Sequence, residues 1–328
     1  MMKSLLMALL TALLVTSPSV EAQTTLPDNT ILAKSWQPEC QCYRRILWGP
    51  ETWFDATYPA TFVQDFDFWP VSRTATNQPL IIWTHPGGGV KHIPAESNPA
   101  DPTLYDRIIV PARAAGFAVA SIEYRHPVHN DDIVPPPHWD IGLAVQSLRN
   151  MAADLGIDPN NVFLIGGSQG TLNIWQAQQA DMQVPGATGA AGQSSLVNAV
   201  YAYNGQATYR GKENATWFLV PEDRKEFVVD WRRQHPQDAL FGSAASSVHR
   251  NSPPAMLKYE FPFYRRLVTF EEAVKHHPDA GLKLCDAYKK AGIPKRCQTF
   301  DNIPKEDDYK GFVEFFQKYL KPPQAQAQ

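Results

Sequence analysis

A serine between glycines on a sharp strand-to-helix turn can act as a nucleophile, and Val162-Phe163-Leu164-Ile165-Gly166-Gly167-Ser168-Gln169-Gly170-Thr171 spells such a turn around Ser168. The apolar residues before it read as a short buried strand and residues 172–180 as a helix-compatible run. In that context Gly-x-Ser-x-Gly lifts a hydroxyl into the cleft above a sheet. The glycines let neighbouring backbones come close, and the start of the following helix favours developing negative charge. The competing reading is a glycine-rich turn with a capping serine; the strand before it favours the nucleophile.

A second motif lies upstream, Trp83-Thr84-His85-Pro86-Gly87-Gly88-Gly89, directly after the apolar run 80–84. Its glycines let backbone N–H groups face a bound carbonyl oxygen. Acyl transfer needs such donors because negative charge collects there in the transition state. Gly87, Gly88 and the N–H of Gln169 are therefore the expected oxyanion hole. A phosphate cradle is disfavoured, since no Gly-Lys-Ser/Thr follows. His85 reads as a structural, backbone-bonded histidine rather than the base.

The elements that must position these motifs alternate strand, loop and helix. Strands are expected at 61–68, 80–84, 117–124, 162–165, 196–203, 255–259 and 296–300, with helices at 108–115, 139–155, 280–291 and 308–320. Such alternation implies an α/β fold, a mostly parallel sheet flanked by helices on both faces. Ligands of such sheets bind beyond the carboxyl ends of the strands. No Gly/Ser linker, repeat or charge block divides the chain, so residues 61–320 are expected to form one domain. Residues 23–60 read as an irregular arm rich in Pro, Trp and polar residues, and 321–328 as a flexible tail.

On His85 to Gly89, the strand and turn 118–125, and the block 140–171, in which Leu155-Gly156-Ile157-Asp158-Pro159 leads into the serine turn, the chain resembles the α/β-hydrolase superfamily. The likeness is to its esterase and lipase branch with a His-Gly-Gly loop, the hormone-sensitive-lipase-like and feruloyl-esterase-like proteins. It covers residues 61–210 well and continues more loosely to the end. The resemblance implies a serine hydrolase acting on a small-molecule or polymer-linked carboxylic ester, without cofactor or metal. In relatives the acid follows the strand matching 255–259, and the histidine sits in the loop after the last strand. This chain departs from both: Tyr259-Glu260-Phe261-Pro262-Phe263 offers Glu260 alone, and residues 300–309 contain no histidine.

A serine hydroxyl needs a base within hydrogen-bond reach. His276 and His277 lie between the strand 255–259 and the helix beginning near Asp279, in a segment leaving the sheet on the Ser168 side. They are the candidate bases, against the alternative that a His pair before a helix is a solvated cap. His92, His126 and His129 sit on other loops of that edge. Glu260 is the candidate acid, with Glu213, Glu222 and Asp223 as others. Trp217, Phe227, Trp231, Phe261, Phe263 and Tyr264 form either a lid or binding wall, or core. Two functions follow: an esterase using Ser168, or a hydrolase-fold protein that has lost acid and base and serves as a binding or repurposed-pocket module.

Composition narrows the setting. Of 328 residues, 44% are hydrophobic and 19% charged, enough for a sizeable core and too little charge for a disordered chain. Thirty Lys and Arg against 33 Asp and Glu, without long runs of one sign, disfavour nucleic acid as a partner. Residues 1–22, with Lys3 before an apolar run from Leu5 to Val15 and a small-residue exit at Ala22, have the layout of a secretory signal peptide. A membrane span needs roughly 20 apolar residues. Secretion is expected, and four cysteines suit it: Cys285 and Cys297 bracket one helix-to-strand connection and should be bonded, leaving Cys40 and Cys42 to pair locally or stay free. Asn214-Ala215-Thr216 is a glycosylation sequon, which makes a glycoprotein an expectation.

Overall fold

The computed structural model describes residues 35–55, 60–86, 104–125, 137–168, 170–171, 192–234, 242–260, 270–304 and 307–322. The expected leader 1–22, Gly87, Gly88, His92, His126, His129, Gln169, Phe261, Phe263, Tyr264 and the residues from 323 lie outside them.

A nine-stranded sheet runs through the molecule in the order β1-β2-β3-β5-β4-β6-β7-β8-β9. Its strands are β1 (Trp36–Gln37), β2 (Cys42–Asp55), β3 (Ala60–Trp69), β4 (Gln78–Thr84), β5 (Ala118–Ile122), β6 (Ile157–Gly167), β7 (Val200–Tyr203), β8 (Ala255–Glu260) and β9 (Cys297–Ile303). The first three pair antiparallel and β3 joins β5 antiparallel. From β5 onward every pairing is parallel.

The central strands are apolar without alternation because both of their faces are covered. Along β4, Leu80 and Ile82 enter one core and Ile81 and Trp83 the other; along β6, Leu164 and Phe163 divide the same way. The first core receives Ile141, Ala144, Val145 and Leu148 of α2 (Pro137–Asn150). The second receives α1 (Val110–Ala114), which continues a π-helical turn at Tyr105–Ile109, and later in the chain the aromatic face of the last helix, Phe312, Phe315 and Phe316. Helices therefore flank both faces, as the alternation implied.

Residues 23–60 are not wholly an irregular arm. Cys42–Asp55 forms a 14-residue strand, with Tyr43, Ile46 and Trp48 buried while Leu47 is 61% exposed. A register shift between Tyr43 and Ile46 breaks the two-residue period, so the alternation was illegible in the sequence. The helix expected at 139–155 is two pieces, α2 and the short α3 (Ala152–Leu155), which ends on Gly156 at φ 64°. After β7 come α4 (Gly211–Phe218), α5 (Pro221–Gln234) and α6 (Ala244–Ser247). Phe227 and Trp231 of α5 are buried in the first core, which settles them as packing residues; Trp217 and Phe218 pack against it from α4. Beyond β8 lie α7 (Phe270–Lys275) and α8 (Asp279–Lys290), and α9 (Phe312–Gln317) follows β9.

Asn214 of the sequon is 1% exposed on α4, with its Nδ2 donating to Thr208 C=O at 3.4 Å. Both cysteine pairs are disulfides, Cys40–Cys42 and Cys285–Cys297, each with Cα atoms 5.2 Å apart. The second ties α8 to β9 across a separation of 12 residues. Opening a loop of this size removes about 3 kcal/mol in the chain-entropy treatment. A Cys285→Ser, Cys297→Ser double variant is therefore expected to lose that amount in urea denaturation.

Candidate active site

Register brings the chemical loops to one edge. Thr84 of β4 pairs with Ile122 of β5 and Gly166 of β6, and Gly167 pairs with Tyr203 of β7. The segments leaving these strands, beginning at His85, Glu123, Ser168 and Asn204, therefore emerge side by side at the carboxyl end of the sheet.

Ser168 takes φ 52°, a left-handed conformation that an L-residue adopts only where the surroundings hold it. They do so here: its N–H donates to Tyr203 C=O at 2.9 Å, and its own C=O accepts from Thr171 N–H at 3.1 Å and Thr171 Oγ1 at 2.5 Å. Gly170 makes the turn possible. A Cβ there would stand 2.6 Å from Thr84 O and 2.7 Å from His85 O, both backbone atoms. Gly170→Ala should push the serine turn off the end of β4, with an expected loss of about 1–3 kcal/mol, checked by thermal unfolding.

Of the two histidines in the expected segment, one faces the serine. His276, directly after α7 and 5% exposed, has its Nε2 2.6 Å from Ser168 Oγ. His277 packs elsewhere. Its ring stacks on Phe218 at 4.9 Å, and its Nδ1 accepts from the Asp279 N–H at 3.2 Å where α8 begins. Burial lowers the His277 imidazole below its ordinary value, against the opposing pull of Asp279 and Asp301. Adjacent residues leaving a helix end point in different directions, so only one of the pair can face the serine.

Glu260 closes β8 and is 6% exposed. Its Oε2 accepts the Tyr203 hydroxyl at 2.7 Å, and its N–H donates to Asn204 Oδ1 at 2.9 Å. Burial, and then the Glu260 carboxylate itself, push the Tyr203 phenol up, so this tyrosine remains a hydrogen donor. In the loop after β9 stands Asp308, whose carboxylate takes Arg107 Nη1 at 2.5 Å and the Tyr309 N–H at 2.7 Å. Burial pushes that carboxyl up, with Arg107 and the Tyr309 N–H pulling it back.

His85 is structural, as expected. Its Nδ1 meets Pro86 O at 2.8 Å, its Nε2 meets Glu123 Oε1 at 3.1 Å, and its ring stacks on Tyr124 at 4.2 Å. The Tyr124 hydroxyl donates to His85 C=O at 2.5 Å. With both ring nitrogens engaged, it braces the end of β4. The chain after β5 is tied to α2 by Arg125, which grips Asp140 through Nη2 at 2.5 Å.

Sequence reasoning missed Gln206. It lies just past β7, 3% exposed, with its amide Nε2 3.3 Å from His276 Nε2. Nothing in the run Asn204-Gly205-Gln206 marks it in one dimension. Among the described residues no group of three or more His, Cys, Asp or Glu could hold a metal ion, and no helix is long and apolar enough to cross a membrane.

Comparison with known proteins fits this geometry. A family model described as BD-FAE matches residues 66–257. Among solved structures, a truncated carbohydrate esterase from gut microbiota superposes with TM-score 0.54 at 18% identity, covering 85% of this chain and 95% of that one. An acetyl ester-xyloside bifunctional hydrolase from Caldicellulosiruptor lactoaceticus gives 0.54 at 16%, covering 84% and 95%. A thermophilic esterase from the planctomycete Thermogutta terrifontis, with butyrate bound, gives 0.53 at 20%, covering 78% and 88%. At these identities the likeness establishes the fold, that of the α/β-hydrolases. A search of curated proteins finds no match.

Proposed function

Because the chain belongs to the BD-FAE family, an α/β-hydrolase esterase family, and is a carboxylic ester hydrolase, we propose that it is secreted and works through Ser168 with His276 as general base. One observation carries the reading: the 2.6 Å contact from the hydroxyl of a left-handed serine to a buried imidazole. Ser168 Oγ attacks the ester carbonyl while its proton passes to His276 Nε2. The proton then goes to the departing alcohol, and water hydrolyses the acyl-serine by the same relay.

The N–H groups of Gly87, Gly88 and Gln169 are assigned to the oxyanion, supported by the alignment of β4 with β6 at their carboxyl ends. Glu260 is assigned the acid's role, supported by its burial at the end of the strand that leads into the His276 segment. Secretion is supported by the leader pattern of residues 1–22 and by two disulfides, which persist in oxidising compartments. The carbohydrate-ester names among the structural neighbours point to an acylated sugar as substrate.

The alternative, a binding protein that has lost its base, is opposed by the same contact. The test is turnover by purified protein of a short p-nitrophenyl ester and of an acetylated xyloside. Release of p-nitrophenol and of acetate is expected; a folded protein that hydrolyses neither substrate supports the binding module instead.

A further inference from the structure

We infer that Gln206 is a positioning residue for His276, serving its Nε2 in both protonation states through the two ends of one amide. The inference rests on the Ser168–His276 reading above and deepens it.

Gln206 is 3% exposed, and its Oε1 meets no hydrogen-bond donor among the described residues, although its Nε2 lies 3.3 Å from His276 Nε2. Buried acceptors are almost always satisfied, and an exception calls for a reason. The residue is also held. Its N–H donates to Thr171 Oγ1 at 3.0 Å, and that hydroxyl donates to Ser168 C=O. The preceding Gly205 allows this approach, since a Cβ there would lie 3.0 Å from Thr171 Oγ1. Gln206 and the nucleophile thus hang on one threonine, and the amide is fixed beside the atom that receives the proton.

In the resting site His276 Nε2 carries a lone pair. The Ser168 O–H and the Gln206 N–H both donate to it, which orients the ring toward the serine. When Ser168 attacks, its proton moves to Nε2, and the lone pair is replaced by an N–H. The amide nitrogen then faces a donor, whereas the carbonyl oxygen, otherwise unpaired, is the complementary group. A half-turn of the amide brings Oε1 to the imidazolium. In this step the serine O–H and the carbonyl π bond break as the Nε2–H and Oγ–C bonds form; the Nε2–H, shared by Gln206 Oε1 and the ester oxygen, then passes to the alcohol as its C–O bond breaks.

Among the described residues, the titratable groups around this corner include Lys275, lying over the Tyr209 and Trp231 rings at 5.7 and 5.6 Å, His277 with Asp279 and Asp301, Tyr259, whose hydroxyl donates to Gly205 C=O at 3.1 Å, and the Tyr203–Glu260 pair.

The experiment compares the full chain with Gln206→Leu and Gln206→Glu on p-nitrophenyl acetate across pH. Gln206→Leu removes donor and acceptor, and should lower kcat about 10- to 100-fold, a part of a general base's effect, with KM nearly unchanged. Gln206→Glu keeps an acceptor and adds charge, so the acid limb of kcat/KM should move up by about one pH unit or more. A side chain that does not face His276 Nε2 would not move that limb. Rates are referred to protein retaining the parent's thermal unfolding midpoint, and Gln206→Met replaces the leucine variant, with the same expectation, if that variant fails to fold. Parental kcat in the apolar variant, or an unmoved acid limb in Gln206→Glu, overturns the inference alone. A parent that is inert toward esters overturns the Ser168–His276 reading and this inference with it.

Discussion

His276→Ala should hydrolyse short aryl esters at least about 100-fold more slowly than the parent, and His277→Ala should stay close to it. The difference follows from two adjacent imidazoles with different surroundings. His276 Nε2 lies 2.6 Å from Ser168 Oγ, whereas His277 packs on Phe218 and receives the first turn of α8. Burial lowers the His277 imidazole, which favours its neutral form. Steady-state kinetics on the two single variants separates the roles. Equal losses, or a loss confined to His277→Ala, would refute the assignment.

Asp140→Ala should destabilise the fold by about 3–5 kcal/mol, the range for removing one partner of a buried ion pair. Asp140 is 1% exposed and is gripped by Arg125 Nη2 at 2.5 Å, the Arg125 N–H at 2.8 Å and Gln64 Nε2 at 3.0 Å. Burial pushes its carboxyl up, and the Arg125 guanidinium opposes that shift. Alanine leaves the guanidinium enclosed with no counter-charge and frees the loop after β5 from α2. Asp140→Asn, which keeps part of the hydrogen bonding, should lose less. Urea midpoints with unchanged slopes would measure both; an Asp140→Ala variant as stable as the parent would show that the pair contributes nothing.

Much of this site could be read in one dimension because its determinants are local. Gly170 must be glycine where the turn abuts two backbone carbonyls, and the apolar runs around residues 80–84 and 162–165 announce strands covered on both faces. The Cys285–Cys297 bond followed from a helix and a strand joined by one short connection. What stayed hidden depends on distant contacts. The sequence put His276 and His277 first, with His92, His126 and His129 behind them, but choosing which faces Ser168 requires knowing how the chain leaves α7. Gln206 is 70 residues from His276, and only the adjacency of β7 and β8 brings their loops together. The long strand Cys42–Asp55 was masked by its own irregular register.

The central claim, that Ser168 is a nucleophile activated by His276, is tested most directly by fluorophosphonate labelling of the folded protein, followed by peptide mass spectrometry. The predicted result is one phosphonyl adduct, located on Ser168, forming at least about 100-fold more slowly in His276→Ala. A folded parent protein that takes up no label, carries it on another residue, or labels Ser168 equally fast without His276 would contradict the account.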